Sequence, residues 1–294
     1  MPTASSDPQA NLRRSLESGR VHSAYLLTGP GSTPRDAALE FVRGLVCQQT
    51  TGPCEECIDC RRSSARDQIA IDGTGRSGPL LRHVGDHADL FWVERGPDDT
   101  RVRIGQIREL QNALRLRSTE GGRRAAVIAD AEWMNQEAQN ALLRVLEEPP
   151  PQTTLVLATR TSAGLLATVR SRCQRLSFET ATAAVLQDPE REATVARLDR
   201  IGATTIPELL DWAAEHRGVR AAVVDGVQEL LETASMWVRA RVISAIQEPD
   251  ADVTDDLDVF RTLNDCRKTL AQRNANPQMV VERALLALRE ATLR

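Results

Sequence analysis

The sequence predicts an α/β domain built on a parallel sheet, followed by an all-helical portion, and three observations carry that expectation. Short apolar runs without polar alternation recur in the first half, as in strands covered on both faces. Helical periodicities separate the later runs, the alternation of a layered α/β fold. After about Phe178 the strand signals stop and only helical patterns continue.

In chain order, the candidate strands are Ala24-Tyr25-Leu26-Leu27, Leu90-Phe91-Trp92-Val93, Ala125-Ala126-Val127-Ile128-Ala129 and Leu155-Val156-Leu157-Ala158. A helical stretch over 37–46 follows the first of them. Ile107, Leu110 and Leu114 mark one further helix. Ala138, Ala141, Leu142, Val145 and Leu146 mark another at i, i+3, i+4, i+7 and i+8, and Pro149-Pro150-Pro151 stops it. In the helical portion, Val224, Val227 and Leu231 form one apolar stripe and Val281, Leu285 and Leu288 a second. The last helix starts with Asn276 as N-cap and Pro277 at the first helical position. Glu248 to Asp252 reads as an acidic loop, and 67–82, with Gly73, Gly75, Gly78 and Pro79, as a solvated excursion.

The chain has 294 residues, the length of about two domains. Its 37 Lys+Arg and 41 Asp+Glu leave a net charge of −4, which argues against a nucleic-acid coat or a polybasic membrane anchor. No apolar run approaches the roughly 20 residues of a membrane span, and the N-terminus has no signal-peptide core, so a cytoplasmic protein without membrane contact is expected. Lys268 is the only lysine. A mechanism that needs a lysine earlier in the chain is therefore excluded.

The segment from Gly29 to Asp36 lies between a strand and a helix, where a phosphate-binding loop of pattern G-x-x-x-x-G-K-[ST] would sit. From Gly29, that pattern puts Pro34 at the second glycine, Arg35 at the lysine and Asp36 at the hydroxyl residue. Proline has no N–H to offer a phosphate and lacks glycine's backbone freedom. Arginine is too bulky to thread the loop as an ammonium does. A carboxylate at Asp36 repels phosphate where a magnesium-bound hydroxyl belongs. Taken alone, the segment reads equally well as an ordinary strand–turn–helix connection. The run Val127-Ile128-Ala129-Asp130 has the Walker-B shape, but Ala131 stands where a catalytic glutamate would follow, leaving Asp130 at most to orient the loop.

Four of the six cysteines, Cys47, Cys54, Cys57 and Cys60, are spaced C-x6-C-x2-C-x2-C. Four thiolates satisfy a tetrahedral zinc ion and leave no open position for water, so a structural zinc is expected, with free or redox-active thiols as the alternative. Cys173 and Cys266 read as buried small apolar residues, and His83 and His87 as surface or loop histidines.

Three segments together carry a family resemblance: His22 to Pro30, Asn140 to Pro150, and Ser171-Arg172-Cys173. With the cysteine knuckle between the first two, the chain resembles bacterial DNA polymerase III clamp-loader subunits of the gamma/tau and delta-prime group, which are AAA+ proteins. The likeness is strong over 8–179 and loose beyond. It implies an AAA+ (RecA-like) domain over 1–179 with a zinc module at about 47–60, a small helical lid over 180–216 and a helical collar over 217–294. Because the phosphate loop and Walker-B element are degenerate, the chain is more similar to delta-prime members, which do not hydrolyse ATP, than to gamma/tau members, which do. The knuckle departs from the family in having six residues rather than about eight between its first two cysteines.

The resemblance further implies that Arg172 is an arginine finger, presented in trans to ATP on a neighbouring subunit; by position alone it would read as a surface salt-bridge arginine. The implied partners are gamma/tau and delta subunits in a hetero-pentameric ring and, through the complex, the sliding clamp and primed DNA. The competing readings are an ATP-hydrolysing gamma/tau-like subunit and a zinc-stabilised nucleic-acid-binding module.

Overall fold

The computed structural model describes residues 7–49, 52–64, 70–71, 79–96, 99–119, 122–178, 186, 188–247, 252–272 and 275–293. The acidic loop up to residue 251 and most of the 67–82 excursion lie outside them. The chain divides into two compact units, Met1–Glu179 and Thr180–Arg294.

The first unit is an α/β layer structure. Helix α1 (Pro8–Ser18) leads to β1 (Ala24–Thr28), α2 (Thr33–Val46), a short α3 (Ile58–Arg62), β2 (Arg82–His83), β3 (Leu90–Val93), α4 (Ile104–Arg115), β4 (Arg124–Ile128), α5 (Gln136–Glu147), β5 (Thr153–Thr159), α6 (Ala167–Arg170) and β6 (Gln174–Ser177). The sheet order is β2-β3-β4-β5-β1-β6, parallel except for the antiparallel β2–β3 pair. The four expected strands are present, and β3, β4 and β5 are buried along their whole length. One face carries a core of Leu12, Tyr25, Leu27, Phe41, Val42, Trp92, Val127 and Val156.

Two short strands were not read from the sequence. β2 has two residues, and the edge strand β6 buries only Leu176 among Gln174, Arg175 and Ser177, so neither makes an apolar run. The topology nevertheless depends on β6, because β1 pairs with β5 on one side and β6 on the other. The crevice at the carboxyl ends of β1 and β5 is the switch point at which open α/β sheets place ligands.

The second unit is helical: α7 (Glu192–Leu198), α8 (Ile206–Ala214), α9 (Arg220–Ala245), α10 (Thr254–Gln272) and α11 (Pro277–Leu293). Both expected stripes are buried, with Val224, Val227 and Leu231 on α9 and Val281, Leu285 and Leu288 on α11. Asn276 caps α11, its Oδ1 accepting from the Gln278 N–H at 2.9 Å. Arg191 (8% exposed) lies 3.7 Å from the buried carboxylate of Glu232 on α9, which ties the segment before α7 to the long helix. No helix among the described residues is long and apolar enough to cross a membrane.

Candidate functional site

β1 ends at Thr28, and the turn Gly29-Pro30-Gly31-Ser32 delivers the chain into α2. A Cβ on Gly29 would lie 2.8 Å from the Phe178 carbonyl oxygen, so glycine is required where the end of β6 crosses the turn. The N–H groups of Arg35 and Asp36 both donate to the Ser32 carbonyl, at 2.8 and 3.0 Å, and Pro34 has none. The Ser32 hydroxyl donates to the Asp36 carboxylate at 2.7 Å. These donors are engaged inside the turn, whereas a phosphate-binding loop aims its N–H groups at the ligand.

Arg35, at the lysine position, is held by β3 and the residue after it. Its guanidinium pairs with Glu94 and lies 5.1 Å from the centroid of the Trp92 ring. The Trp92 indole N–H also donates to Glu94, at 3.0 Å, and Arg82 Nε approaches the other Glu94 oxygen at 3.7 Å.

A cavity of about 240 Å³ remains, lined by Gly31, Pro34, Arg35, Asp130, Glu132 and Thr159 among others. That is below the usual range of small-molecule pockets, and two of its lining residues are carboxylates. Asp130 accepts from the Arg95 backbone N–H at 3.0 Å, with the Arg95 Nε at 3.6 Å and its guanidinium over Trp133. Asp130 thus fastens the chain after β3 to the end of β4.

Glu132 was missed by the sequence reading. It is 4% exposed and accepts from the Arg160 N–H at 3.2 Å. Burial first, then the charge of Asp130, pushes its carboxyl above the usual range. The available signal was an acid two residues beyond Asp130. Gln139 was missed as well. Fully buried on α5, it donates to the carbonyls of Met134 (2.9 Å) and Gly164 (3.0 Å) and accepts from the Leu166 N–H (2.7 Å).

The four cysteines converge at the end of α2 and the start of α3. Their sulfurs lie within 4.8 Å of one another, and Cys54 and Cys60 Sγ are 4.0 Å apart. A tetrahedral ion with metal–sulfur bonds of about 2.3 Å sets sulfur–sulfur edges of about 3.8 Å, so with modest closure these four sulfurs could hold a metal ion. Backbone N–H groups of Gln49, Cys57 and Cys60 point at the sulfurs of Cys47, Cys54 and Cys57 at 3.3, 3.3 and 3.4 Å, the donors a thiolate needs. Burial raises the Cys60 thiol to about 12, the neighbouring Cys57 adding to it. For Cys57, burial is outweighed by hydrogen bonds from Gln48 and Cys60, which bring it down to about 6. Four sulfurs this close cannot all ionise without a cation between them.

The knuckle is seated on the β2–β3 hairpin. Gly85 has φ +58, and a Cβ there would meet the Arg62 carbonyl oxygen at 2.2 Å. The Asp86 N–H donates to that same oxygen at 2.9 Å. His87 corrects the sequence reading: it is 1% exposed, with Nε2 3.5 Å from Asp59 Oδ1 on α3 and Nδ1 accepting from the Asp89 N–H at 3.2 Å. His83 is half-buried beside Phe91, and burial lowers its pKa. The apolar periodicity of the hairpin is too short to reveal that Asp59 of α3 meets His87. Cys173 and Cys266 are buried as expected, and burial raises the Cys173 thiol to about 12.

Arg172 lies on the turn between α6 and β6. Its Nη1 donates to the Thr168 carbonyl at 2.9 Å, and its Nη2 lies 2.8 Å from Glu147 Oε1 at the end of α5. The two side chains are 36% and 50% exposed.

A family profile described as DNA polymerase III, delta subunit, matches residues 5–182. Among curated proteins, the DNA polymerase III subunit delta' of Pseudomonas aeruginosa is 31% identical over 220 residues, 71% of this chain and 61% of its own length. The DNA polymerase III subunit delta' of Bacillus subtilis is 32% identical over 179 residues, 60% of this chain and 48% of its own length. The crystal structure of a DNA polymerase III, gamma subunit-related protein from Thermotoga maritima aligns over 97% of this chain and 99% of its own at 18% identity, with a TM-score of 0.40. The chain spans about half to two thirds of the length of these curated relatives.

Proposed function

The chain belongs to the family described as DNA polymerase III, delta subunit, and from that premise we propose that it is a non-hydrolysing, delta-prime-like subunit of a cytoplasmic clamp loader. In this reading it joins gamma/tau and delta subunits in a hetero-pentameric ring that places the sliding clamp on primed DNA. It completes a neighbour's ATP site with Arg172 and has no working site of its own. The observation that carries the reading is the engagement of Arg35 by Glu94 and Trp92 beside a proline without an N–H. A triphosphate entering that turn meets neither a free cation from Arg35 nor a full set of backbone donors, and two carboxylates, Asp130 and Glu132, line the cavity beside it.

Arg172 fits the finger role because its guanidinium is partly exposed on a turn anchored by two contacts, and so can neutralise charge developing on a phosphate supplied from outside the chain. Zinc fits the knuckle: Cys47, Cys54, Cys57 and Cys60 would hold it, and it would supply a structural crosslink between the end of α2 and α3. The helical unit divides in this reading into a lid over 180–216, which includes α7 and α8, and a collar over 217–294, which includes α9 to α11. Exposed Ile243, Ile246, Leu286 and Met279 on α9, α11 and the segment after α9 offer the collar apolar surface for neighbouring subunits.

The test is co-purification with gamma/tau and delta subunits, with DNA-stimulated ATPase measured with and without this chain. The expected result is a stable complex whose ATPase depends on Arg172, while the isolated chain is inactive. Failure to associate, or motor-like turnover by the chain alone, overturns the reading.

A further inference from the structure

We propose that Glu147 is the positioning residue for Arg172, holding the finger in the orientation in which it meets a neighbour's nucleotide; this rests on the finger reading above. Glu147 and Glu148 follow one another at the C-terminal end of α5, where unsatisfied carbonyls make the helix end negative. Carboxylates there oppose the local preference for cations, and only Arg144 in the last turn answers it. A break with a local rule that has no local gain marks a functional site. Here the counterpart is Arg172, whose Nη2 lies 2.8 Å from Glu147 Oε1.

The second contact fixes direction. Nη1 donates to the Thr168 carbonyl at 2.9 Å, so the guanidinium is gripped by the turn that carries it and by a helix from another part of the sequence. Helix α5 also fixes the start of that turn, because Gln139 accepts from the Leu166 N–H and donates to the Gly164 carbonyl. The helix therefore pins both ends of the segment from Gly164 to Arg172, one in the interior and one at the surface. Two contacts leave further guanidinium donors for an incoming anion, and the 36% exposure of the side chain gives that anion access. Glu147 touches no reacting atom. It acts by narrowing the orientations of Arg172 before the nucleotide arrives.

The experiment reconstitutes the loader with the parent chain, Glu147→Ala, Arg172→Ala and the double variant, each checked for incorporation by co-purification. An exposed pair biases orientation modestly, so Glu147→Ala lowers the DNA-stimulated kcat about two- to fivefold and leaves the KM for ATP unchanged. In the Arg172→Ala background the same substitution has no further effect, because a residue acting only through Arg172 has nothing left to position. Parent-like kcat for Glu147→Ala beside an impaired Arg172→Ala overturns the positioning role alone. An equal fall in both backgrounds also overturns it, in favour of a structural role. Parent-like ATPase for Arg172→Ala overturns the finger reading, and this proposal with it.

Discussion

Arg35 and Trp92 are stacked, with the guanidinium 5.1 Å from the ring centroid, so the cation at the lysine position of the phosphate turn belongs to β3. Cation–π contact and the shared Glu94 partner bind it there. On the proposed reading, a lysine at that one position is not expected to confer ATPase activity, because Pro34 still offers no N–H and Asp36 still places a carboxylate beside the turn. Arg35→Lys in the isolated chain is therefore expected to show no magnesium-dependent ATP turnover above the parent, measured by phosphate release. Turnover restored by this single change would show that the turn is intact and only the cation is missing.

Gly85 controls how closely α3 sits on the hairpin. A Cβ 2.2 Å from the Arg62 oxygen forces the two apart, and a φ of +58 adds strain for a β-carbon. Gly85→Ala is expected to cost roughly 1–3 kcal/mol in urea unfolding and to weaken metal retention. Gly85→Asn relieves the φ strain but keeps the clash, so it should be almost as damaging. A well-tolerated asparagine would assign the glycine to backbone conformation alone.

Metal removal tests the knuckle directly. The purified chain is expected to carry about one zinc per molecule by elemental analysis. Cys60→Ser replaces the most deeply buried sulfur of the cluster, 4.0 Å from that of Cys54, and should abolish stoichiometric zinc. Chelation of the parent should lower its melting temperature to that of the variant. A parent chain that is zinc-free and equally stable would leave the four thiols as an unmetallated cluster.

What could be read from the sequence follows how each element is stabilised. The central stretches of β1, β3, β4 and β5 are buried on both faces and filled by apolar residues, so the runs announced themselves, while polar ends such as Arg124, Thr153 and Thr159 fell outside them. β6 is an edge strand held by backbone pairing to β1, and its polar residues carry no such signature. The cysteine spacing is local, so the cluster was legible, while its seat on Gly85 and His87 depends on a hairpin more than twenty residues away. Glu132 and Gln139 are polar residues in the interior, where pattern reading expects none; only their partners reveal why they are tolerated. The pairing of Arg172 with Glu147 joins a turn to the far end of a helix, a relation that sequence separation conceals.

The buried carboxyl of Glu132 predicts a pH dependence. Burial, then the charge of Asp130, raises its pKa in the folded state above the unfolded value. Its contribution to stability is then fully present below the unfolded pKa and is lost as pH rises through the folded one. Glu132→Gln keeps an acceptor for the Arg160 N–H without a charge to bury. The variant should be more stable than the parent at pH 8 by about 1 kcal/mol or more, with the gain vanishing at about pH 3, where the parent carboxyl is protonated in both states. Denaturant midpoints across that range read the difference; a gain independent of pH would point to packing instead of charge.

Gln139 should be the costliest single position on α5. Gln139→Leu fills similar space but leaves the carbonyls of Met134 and Gly164 without this donor and the Leu166 N–H without its acceptor, all around a side chain that is fully buried. Losses of this kind amount to roughly 2–4 kcal/mol in total, read as a lower denaturant midpoint at unchanged m-value. Gln139→Glu discriminates the contributions, because a carboxylate still accepts from Leu166 but donates to neither carbonyl. It should be at least as destabilised at pH 8 and recover partly in acid, where protonation restores one donor and removes the buried charge. The leucine variant should also lower DNA-stimulated ATPase in the reconstituted loader, since releasing Leu166 frees the segment that carries Arg172. A leucine variant as stable as the parent would mean that the loops around α5 are held without this amide.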